Sequence, residues 1–322
     1  MKLAYLLIFQ VFLSVMPVRA GVDERQVQLF GTPRVSWGYI QRFPDLPSIY
    51  IGSRTIDVLV PEEYPAYPAK RYPVLYMHDG QMLFDSSQTW NHQEWKVDET
   101  LRDVFLKTGK ACIVVAIHNA GEKRYAEYFP KKPFESLNRE GKDAIYELAK
   151  NNSGRSFPES GPSSDAYLRF LTEELKPLID KSFRTLSDRE NTWISGSSMG
   201  GLISMYALCE YPRVFGAATC ISTHWTGIFR KENNPVPEKF LHYLRSRIPH
   251  SKTHRLLFYT GSTGLDSLYL PFHHQAVSIC LKSGYRKGNN LKYKIVERAG
   301  HSENDWAKQM NDIFLFLFKK EN

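Results

Sequence analysis

Between Thr192 and Leu208 the chain reads TWISGSSMGGLISMYAL, an apolar, β-branched run that breaks into small residues and resumes as a run of helix formers. Within it, Gly196-Ser197-Ser198-Met199-Gly200 fits G-x-S-x-G in one frame, with Ser198 at its centre. The constraint this places on the fold is steric. Where a strand turns at once into a helix, the residues two before and two after the corner press on each other, so both must be small. The corner residue takes a strained backbone and is pushed out of the sheet, and the first N–H groups of the helix point beside it. Such a corner belongs to a sheet whose strands pass directly into crossover helices.

The rest of the sequence supplies that sheet. RTIDVLVP sets Ile56, Val58 and Val60 on one face, as a half-buried strand does. RYPVLYMHDG and ACIVVAIHNAG are continuous apolar runs closed by turn residues, which suits strands buried on both faces. SSDAYLRFLTEELKPLID places Tyr167, Leu168, Leu171, Leu175, Leu178 and Ile179 at helical spacing, with Ser163, Ser164 or Asp165 available as N-cap. VFGAATCIS, HRLLFYTG and LKYKIVERAG read as further strands, and PFHHQAVSICLKSG and DWAKQMNDIFLFLFKK as helices. This alternation predicts an α/β fold, a mainly parallel sheet with helices on both faces, over residues 51–322. Residues 21–50 are expected to form an N-terminal arm or extra strands. Two polar excursions, 131–162 and 223–253, have the length of lids or binding loops.

Residues 1–20 stand apart. Lys2, the apolar run LAYLLIFQVFLSVM and Val18-Arg19-Ala20 predict a secretory leader cut before Gly21, and so a secreted or periplasmic protein. The apolar run is short for a span of about 20 residues, and no later segment suits one, so stable membrane insertion is not expected. The formal charge of +8 falls by two with Lys2 and Arg19. The remaining basic residues are interleaved with acids, as in RKENNPVPEK, and no nucleic-acid motif accompanies them, so a nucleic-acid partner is not expected. Cys112, Cys209, Cys220 and Cys280 allow three pairings in an oxidising compartment, but each lies in an apolar stretch that favours a buried free thiol. No C-x-x-C or H-E-x-x-H spacing occurs, and neither a metal nor a cofactor is expected.

A serine hydroxyl is a weak nucleophile until a base takes its proton, and the base needs an acid to fix its tautomer. The serine corner resembles that of the α/β hydrolases, and the resemblance implies the chain order Ser, acid, His. Asp266, in GSTGLDSLY, is the one aspartate between Ser198 and His301. The other acids of that interval are placed differently: Glu210 ends a helix, Glu232 and Glu238 sit in a loop excursion, and Glu297 belongs to a strand. His301 directly follows the last strand, whereas its rivals His273 and His274 flank a helix. An oxyanion needs two backbone donors. The expected pair is the N–H of Met199 and that of Gln81, which follows Gly80 in the HDGQ loop.

RYPVLYMHDGQMLFD, WKVDET, IVVAIHNAGEKRYAEYFP, ISGSSMGGLISMYAL, GLDSLY and AGHSENDW together resemble, in order and spacing, the putative-esterase family of α/β hydrolases. That family includes enterochelin-esterase-like proteins, feruloyl and related carbohydrate esterases, S-formylglutathione hydrolases and mycolyltransferases. The resemblance implies the α/β-hydrolase fold, a Ser198–Asp266–His301 triad and an acyl-enzyme hydrolysed by water. It also implies that RYAEYFP lies beside the site, with Arg124 and Glu127 shaping the pocket; from the residues alone a salt-bridged loop fits as well. Trp225, Trp90 and Trp95 read equally as pocket walls or as core. The expected activity is an exported serine esterase acting on a small-molecule or oligosaccharide ester, such as an acetyl or feruloyl ester of a carbohydrate. A siderophore trilactone esterase, an acyltransferase and a non-catalytic glycan-binding module stay open beside it.

Overall fold

The structure, a computed structural model, describes residues 31–150, 160–228 and 233–319. The predicted leader, residues 1–20, lies outside them. The strands are β1 Tyr39–Leu46, β2 Arg54–Val60, β3 Val74–His78, β4 Ile113–Ile117, β5 Thr192–Ser197, β6 Ala217–Ile221, β7 Arg255–Gly261 and β8 Leu291–Val296. They form one sheet in the order β1-β2-β4-β3-β5-β6-β7-β8. β1 and β2 run antiparallel to their neighbours, and from β4 to β8 every pairing is parallel.

The continuous apolar runs become the centre of the sheet. Every residue of β3, β4, β5, β6 and β7 is buried. β8, at one edge, is half-buried after Leu291, as an edge strand covered on one face should be. β2 departs from the expected alternation: all its residues except Thr55 are buried. The reason lies in partners distant in sequence. Asp57 faces inward because Arg42 of β1 binds both its oxygens at 2.6 Å and His118 approaches Oδ2 at 2.9 Å.

The predicted helix over SSDAYLRFLTEELKPLID is present but interrupted. Ser164–Arg169 is α-helical, Phe170–Leu175 makes a π-helical turn, and Lys176–Ser182 is α-helical again. Its predicted side-chain cap is not made. Ser163 stands at the N-cap without a capping bond. Ser164 Oγ accepts from the Lys131 N–H at 2.9 Å, and Asp165 accepts from the Tyr206 hydroxyl at 2.5 Å. Of the two polar excursions, the first carries helices Lys131–Glu135 and Arg139–Lys150, the second helix Val236–Arg247. Among the described residues no helix is long and apolar enough to cross a membrane.

The helix Met199–Glu210 is buried from Met199 through Cys209 and packs on β5 and β6. All four cysteines are buried free thiols, each pushed up by burial, so they serve as small apolar side chains. Sheet order then locates the crevice. β3 has β4 on one side and β5 on the other, so the chain leaves these strands in opposite directions. In an open parallel sheet a cleft forms at the carboxyl ends of strands that part in this way. Asp79 and Ser198 are the residues at that point.

Candidate active site

The three adjacent strands β3, β5 and β6 each lead into a non-glycine residue with positive φ: Asp79 at 57°, Ser198 at 57° and Ser222 at 42°. Such backbone is strained for an L side chain and holds only where the surroundings over-determine it. Ser198, with ψ −121°, is the corner between β5 and its helix. Its N–H donates to Ile221 O at 2.9 Å, and its carbonyl accepts from the N–H groups of Gly201, Leu202 and His224 at 3.0–3.2 Å. A Cβ on Gly196 would lie 2.7 Å from the carbonyl carbon of Gly200, which is the steric demand that G-x-S-x-G encodes.

Asp266 lies in the turn Gly264–Tyr269 after β7 and is wholly buried. Its Oδ1 is 2.6 Å from His301 Nδ1. Its Oδ2 accepts the Gly261 N–H at 2.7 Å and the Ser222 hydroxyl, and Ser222 Oγ in turn accepts the Trp306 indole N–H at 2.9 Å. Gly261 is required here, because a Cβ would stand 2.3 Å from Ala299 O. The His301 ring packs edge-on against Trp306, centroids 5.0 Å apart, and against Tyr269 at 5.9 Å. With Nδ1 turned to the carboxylate, Nε2 is the nitrogen left to exchange a proton.

The rivals are placed elsewhere. His273 is buried in helix Leu270–Lys282, where burial pushes its imidazole down to about 4, and His274 is exposed next to it. Glu210 is held by Lys132 and Tyr243, Glu238 lies in helix Val236–Arg247, and Glu297 accepts from Ser262 Oγ. Glu232 lies outside the described residues.

On the other side of Ser198, Asp79 opens the short turn Gly80–Met82. Arg124 grips both its oxygens, Nε to Oδ1 at 2.6 Å and Nη2 to Oδ2 at 2.7 Å, and Asn119 Nδ2 donates to Oδ1 at 2.7 Å. Burial alone would raise the Asp79 carboxyl, but the Arg124 guanidinium outweighs it and holds the group below the usual carboxylate range. The turn is pressed onto the sheet, since a Cβ on Gly80 would meet the Ala116 carbonyl carbon at 2.5 Å. The Gln81 side chain accepts the Asn119 N–H at 3.2 Å. A Cβ on Gly200 would come within 3.4 Å of Asp79 Oδ2, so the two turns abut.

Of the predicted pocket residues, Arg124 is partly exposed and stacks over Tyr128 at 5.0 Å. Glu127 and Trp225 are both buried. Glu127 is buried with both oxygens on the Arg54 guanidinium at 2.9 and 3.0 Å, and Trp225 is buried against Phe258. Trp95 is likewise buried, whereas Trp90 is exposed. Sequence reasoning did not find Ser222, Trp306, Tyr269 or His224, whose Nδ1 bonds the Tyr269 hydroxyl. The signal for Trp306 was its place in AGHSENDW, one capped helical turn beyond His301. Among the described residues no group of three or more His, Cys, Asp or Glu side chains is arranged to hold a metal ion.

Comparison with known proteins agrees with this architecture. The family described as putative esterase matches residues 50–317. Uncharacterized protein YbbA of Bacillus subtilis (strain 168) is 28% identical over 175 residues, which cover 54% of this chain and 58% of that protein. The chain therefore matches under two thirds of that curated relative's length. A solved ferulic acid esterase superposes with a TM-score of 0.60 at 15% identity, over 87% of this chain and 97% of that one. The enterobactin esterase FES from Shigella flexneri does so with a TM-score of 0.58 at 16% identity, over 89% of this chain and 62% of that one. At such identities the two structures speak for the fold. The family match covers most of the sequence and the sheet has the expected form: the chain belongs to the putative esterase family and has the α/β-hydrolase fold.

Proposed function

We propose that the protein is a serine carboxylic-ester hydrolase with Ser198 as nucleophile, His301 as general base and acid, and Asp266 as the group that orients the imidazole. The observation that carries this reading is the 2.6 Å contact between His301 Nδ1 and a buried Asp266 at the same sheet edge as the strained Ser198 corner. His301 Nε2 takes the Ser198 proton as Oγ attacks the ester carbonyl. The oxyanion that forms is held by the N–H groups of Gln81 and Met199. The intermediate collapses, His301 returns the proton to the leaving alkoxide, and an acyl-Ser198 ester remains. Water then attacks with His301 again as base, releasing the acid and restoring the hydroxyl. Arg124, fixed by Asp79, borders the oxyanion side of the cleft and contacts the substrate there.

The substrate we infer is an acylated carbohydrate of acetyl or feruloyl type, met outside the cytoplasm after removal of a leader at residues 1–20. The fold likeness to a ferulic acid esterase supports this reading. A second reading, hydrolysis of a catecholate trilactone siderophore, draws support from the positive charge that remains when Lys2 and Arg19 leave with the leader, which favours an anionic ligand, and from the likeness to an enterobactin esterase. Acyl transfer to a sugar would use the same three side chains. The test is a panel of p-nitrophenyl acetate, methyl ferulate, acetylated xylan oligomers and a catecholate trilactone, with Ser198→Ala alongside. Ser198-dependent acid release from the xylan ester is the expected result. Failure of a fluorophosphonate probe to label Ser198 would overturn the serine mechanism itself.

A further inference from the structure

Trp90 is 76% exposed, on a loop that is anything but loose. Ser86 N–H donates to Glu94 at 2.7 Å, Gln88 N–H to Asp85 O at 3.1 Å, His92 N–H to Thr89 O at 3.3 Å and Gln93 N–H to Asn91 Oδ1 at 3.1 Å. The same loop is tied to the segment that carries His301. Asn91 Nδ2 donates to Glu303 Oε2 at 2.8 Å, Asn304 N–H donates to Gln93 Oε1 at 3.3 Å, and Trp95 packs against Trp306 at 5.4 Å. One residue, one side-chain hydrogen bond and two residues thus separate Trp90 from His301. Single exposed apolar residues are ordinary on a protein surface. Leu106 and Leu281 are such cases, on helices Val97–Thr108 and Leu270–Lys282. Trp90 differs in standing on a rigid loop bolted to the catalytic histidine segment.

We propose that Trp90 is a stacking platform for the sugar ring on the alcohol side of the ester. This rests on the serine esterase reading, which fixes the direction. His301 delivers its proton to the leaving alkoxide, so the alcohol part lies on the His301 side and the carbonyl oxygen lies toward Gln81. Trp90 is on the His301 side. A pyranose presents C–H bonds on its flat face, and the indole presents a negatively polarised ring face to receive them. A rigid two-torsion aromatic side chain loses little conformational freedom on making that contact. The platform selects for esters of sugars over esters of small alcohols, whichever acyl group they carry.

The experiment compares the protein with Trp90→Ala and Trp90→Phe on acetylated xylo-oligosaccharides and on p-nitrophenyl acetate. The ratio of kcat/KM on the glycosyl ester to that on the aryl ester is expected to fall about tenfold in Trp90→Ala, mainly through KM, with partial recovery in Trp90→Phe. An unchanged ratio overturns the proposal, as does a fall that Phe does not recover. A parallel titration of Ser198→Ala with xylohexaose, read by tryptophan fluorescence, should show saturable binding that Trp90→Ala weakens by a similar factor. If no ester is hydrolysed but this binding is weakened, the esterase reading and the alcohol-side assignment both fail, and sugar stacking at Trp90 alone stands. If xylohexaose binds equally with and without Trp90, the platform is refuted whatever the enzyme assay shows.

Discussion

Replacing Ser222 with alanine would separate anchorage of Asp266 from the chemistry of the proposed triad. The Ser222 hydroxyl donates to Asp266 Oδ2 and accepts the Trp306 indole N–H at 2.9 Å, so Ser222→Ala breaks two buried bonds at once. The first is a bond to a carboxylate, worth about 1.5–3 kcal/mol, and the second leaves a buried donor unsatisfied at a cost of about 1–3 kcal/mol. Together they predict a loss of roughly 3–5 kcal/mol of folding stability. In a domain of this size that corresponds to a Tm lower by about 10 °C. The effect on rate should be smaller than that of Asp266→Asn, for which about 10⁴-fold in kcat is the precedent from serine proteases. Asp266 keeps the Gly261 N–H at 2.7 Å and the His301 contact at 2.6 Å, so it stays near its place. We expect kcat to fall on the order of 10- to 100-fold, with KM unchanged, since Ser222 positions the acid without meeting substrate. Thermal unfolding and steady-state turnover of p-nitrophenyl acetate measure both quantities. A lower Tm with unchanged kcat would refute the view that this hydroxyl holds the proposed catalytic carboxylate in register.

Three further outcomes follow from the same geometry. In Gly80→Ala the new methyl would start 2.5 Å from the Ala116 carbonyl carbon, so the turn must move and carry the Gln81 N–H with it. Overpacking of this kind costs about 1–3 kcal/mol, and kcat should fall with it; an unimpaired kcat would remove Gln81 from the oxyanion site. Glu127→Gln leaves the buried Arg54 guanidinium without its counter-charge, which predicts a loss of about 3–5 kcal/mol in urea unfolding. A stable variant with a raised KM would instead restore Glu127 to the pocket. Burial holds His78 at about 3 and His273 at about 4. Unfolded histidine titrates near ~6.5, so below that pH the unfolded chain binds protons that the native one refuses. Stability is therefore whole above ~6.5 and falls on acidification toward 4, by up to about 1.4 kcal/mol per pH unit for each histidine. Urea midpoints at pH 7 and pH 4.5 that coincide would contradict this.

What was legible in the sequence was local. The apolar runs of β3, β4 and β5 need no partner to be recognised, because strands buried on both faces must be apolar throughout. The corner at Ser198 was legible because its steric demand falls on Gly196 and Gly200 within five residues. What escaped depends on contacts between distant segments. β2 read as half-buried because nothing near Asp57 announces Arg42 and His118 as its partners. The partner of Glu127 could not be named because Arg54 lies 73 residues earlier. Ser222 is a commonplace serine until Trp306, 84 residues later, is folded against it. The interrupted helix is a milder case, since its apolar spacing tolerates the π-helical turn at Phe170–Leu175.

The strained residues tie these observations together. Asp79, Ser198 and Ser222 follow three neighbouring strands, and each has a backbone that costs on the order of 1–3 kcal/mol to hold. Each is also held by bonds from a different strand end. Ser198 N–H reaches Ile221 O at the end of β6, Ser222 N–H reaches Tyr259 O in β7, and Asp79 is gripped by Arg124 and Asn119 beyond β4. Strain at one corner is thus balanced by the sheet register of the next, from the turn at Gly80–Met82 through the Ser198 corner to the Ser222 anchor of Asp266. The register between parallel strands cannot slip by one residue without turning every side chain to the other face. The relative positions of Gln81, Ser198 and Asp266 are therefore set by the buried sheet rather than by the loops that bear them. Insertions in the outer excursions should leave the chemistry in place, while a single substitution in β5 or β6 that disturbs their pairing should not.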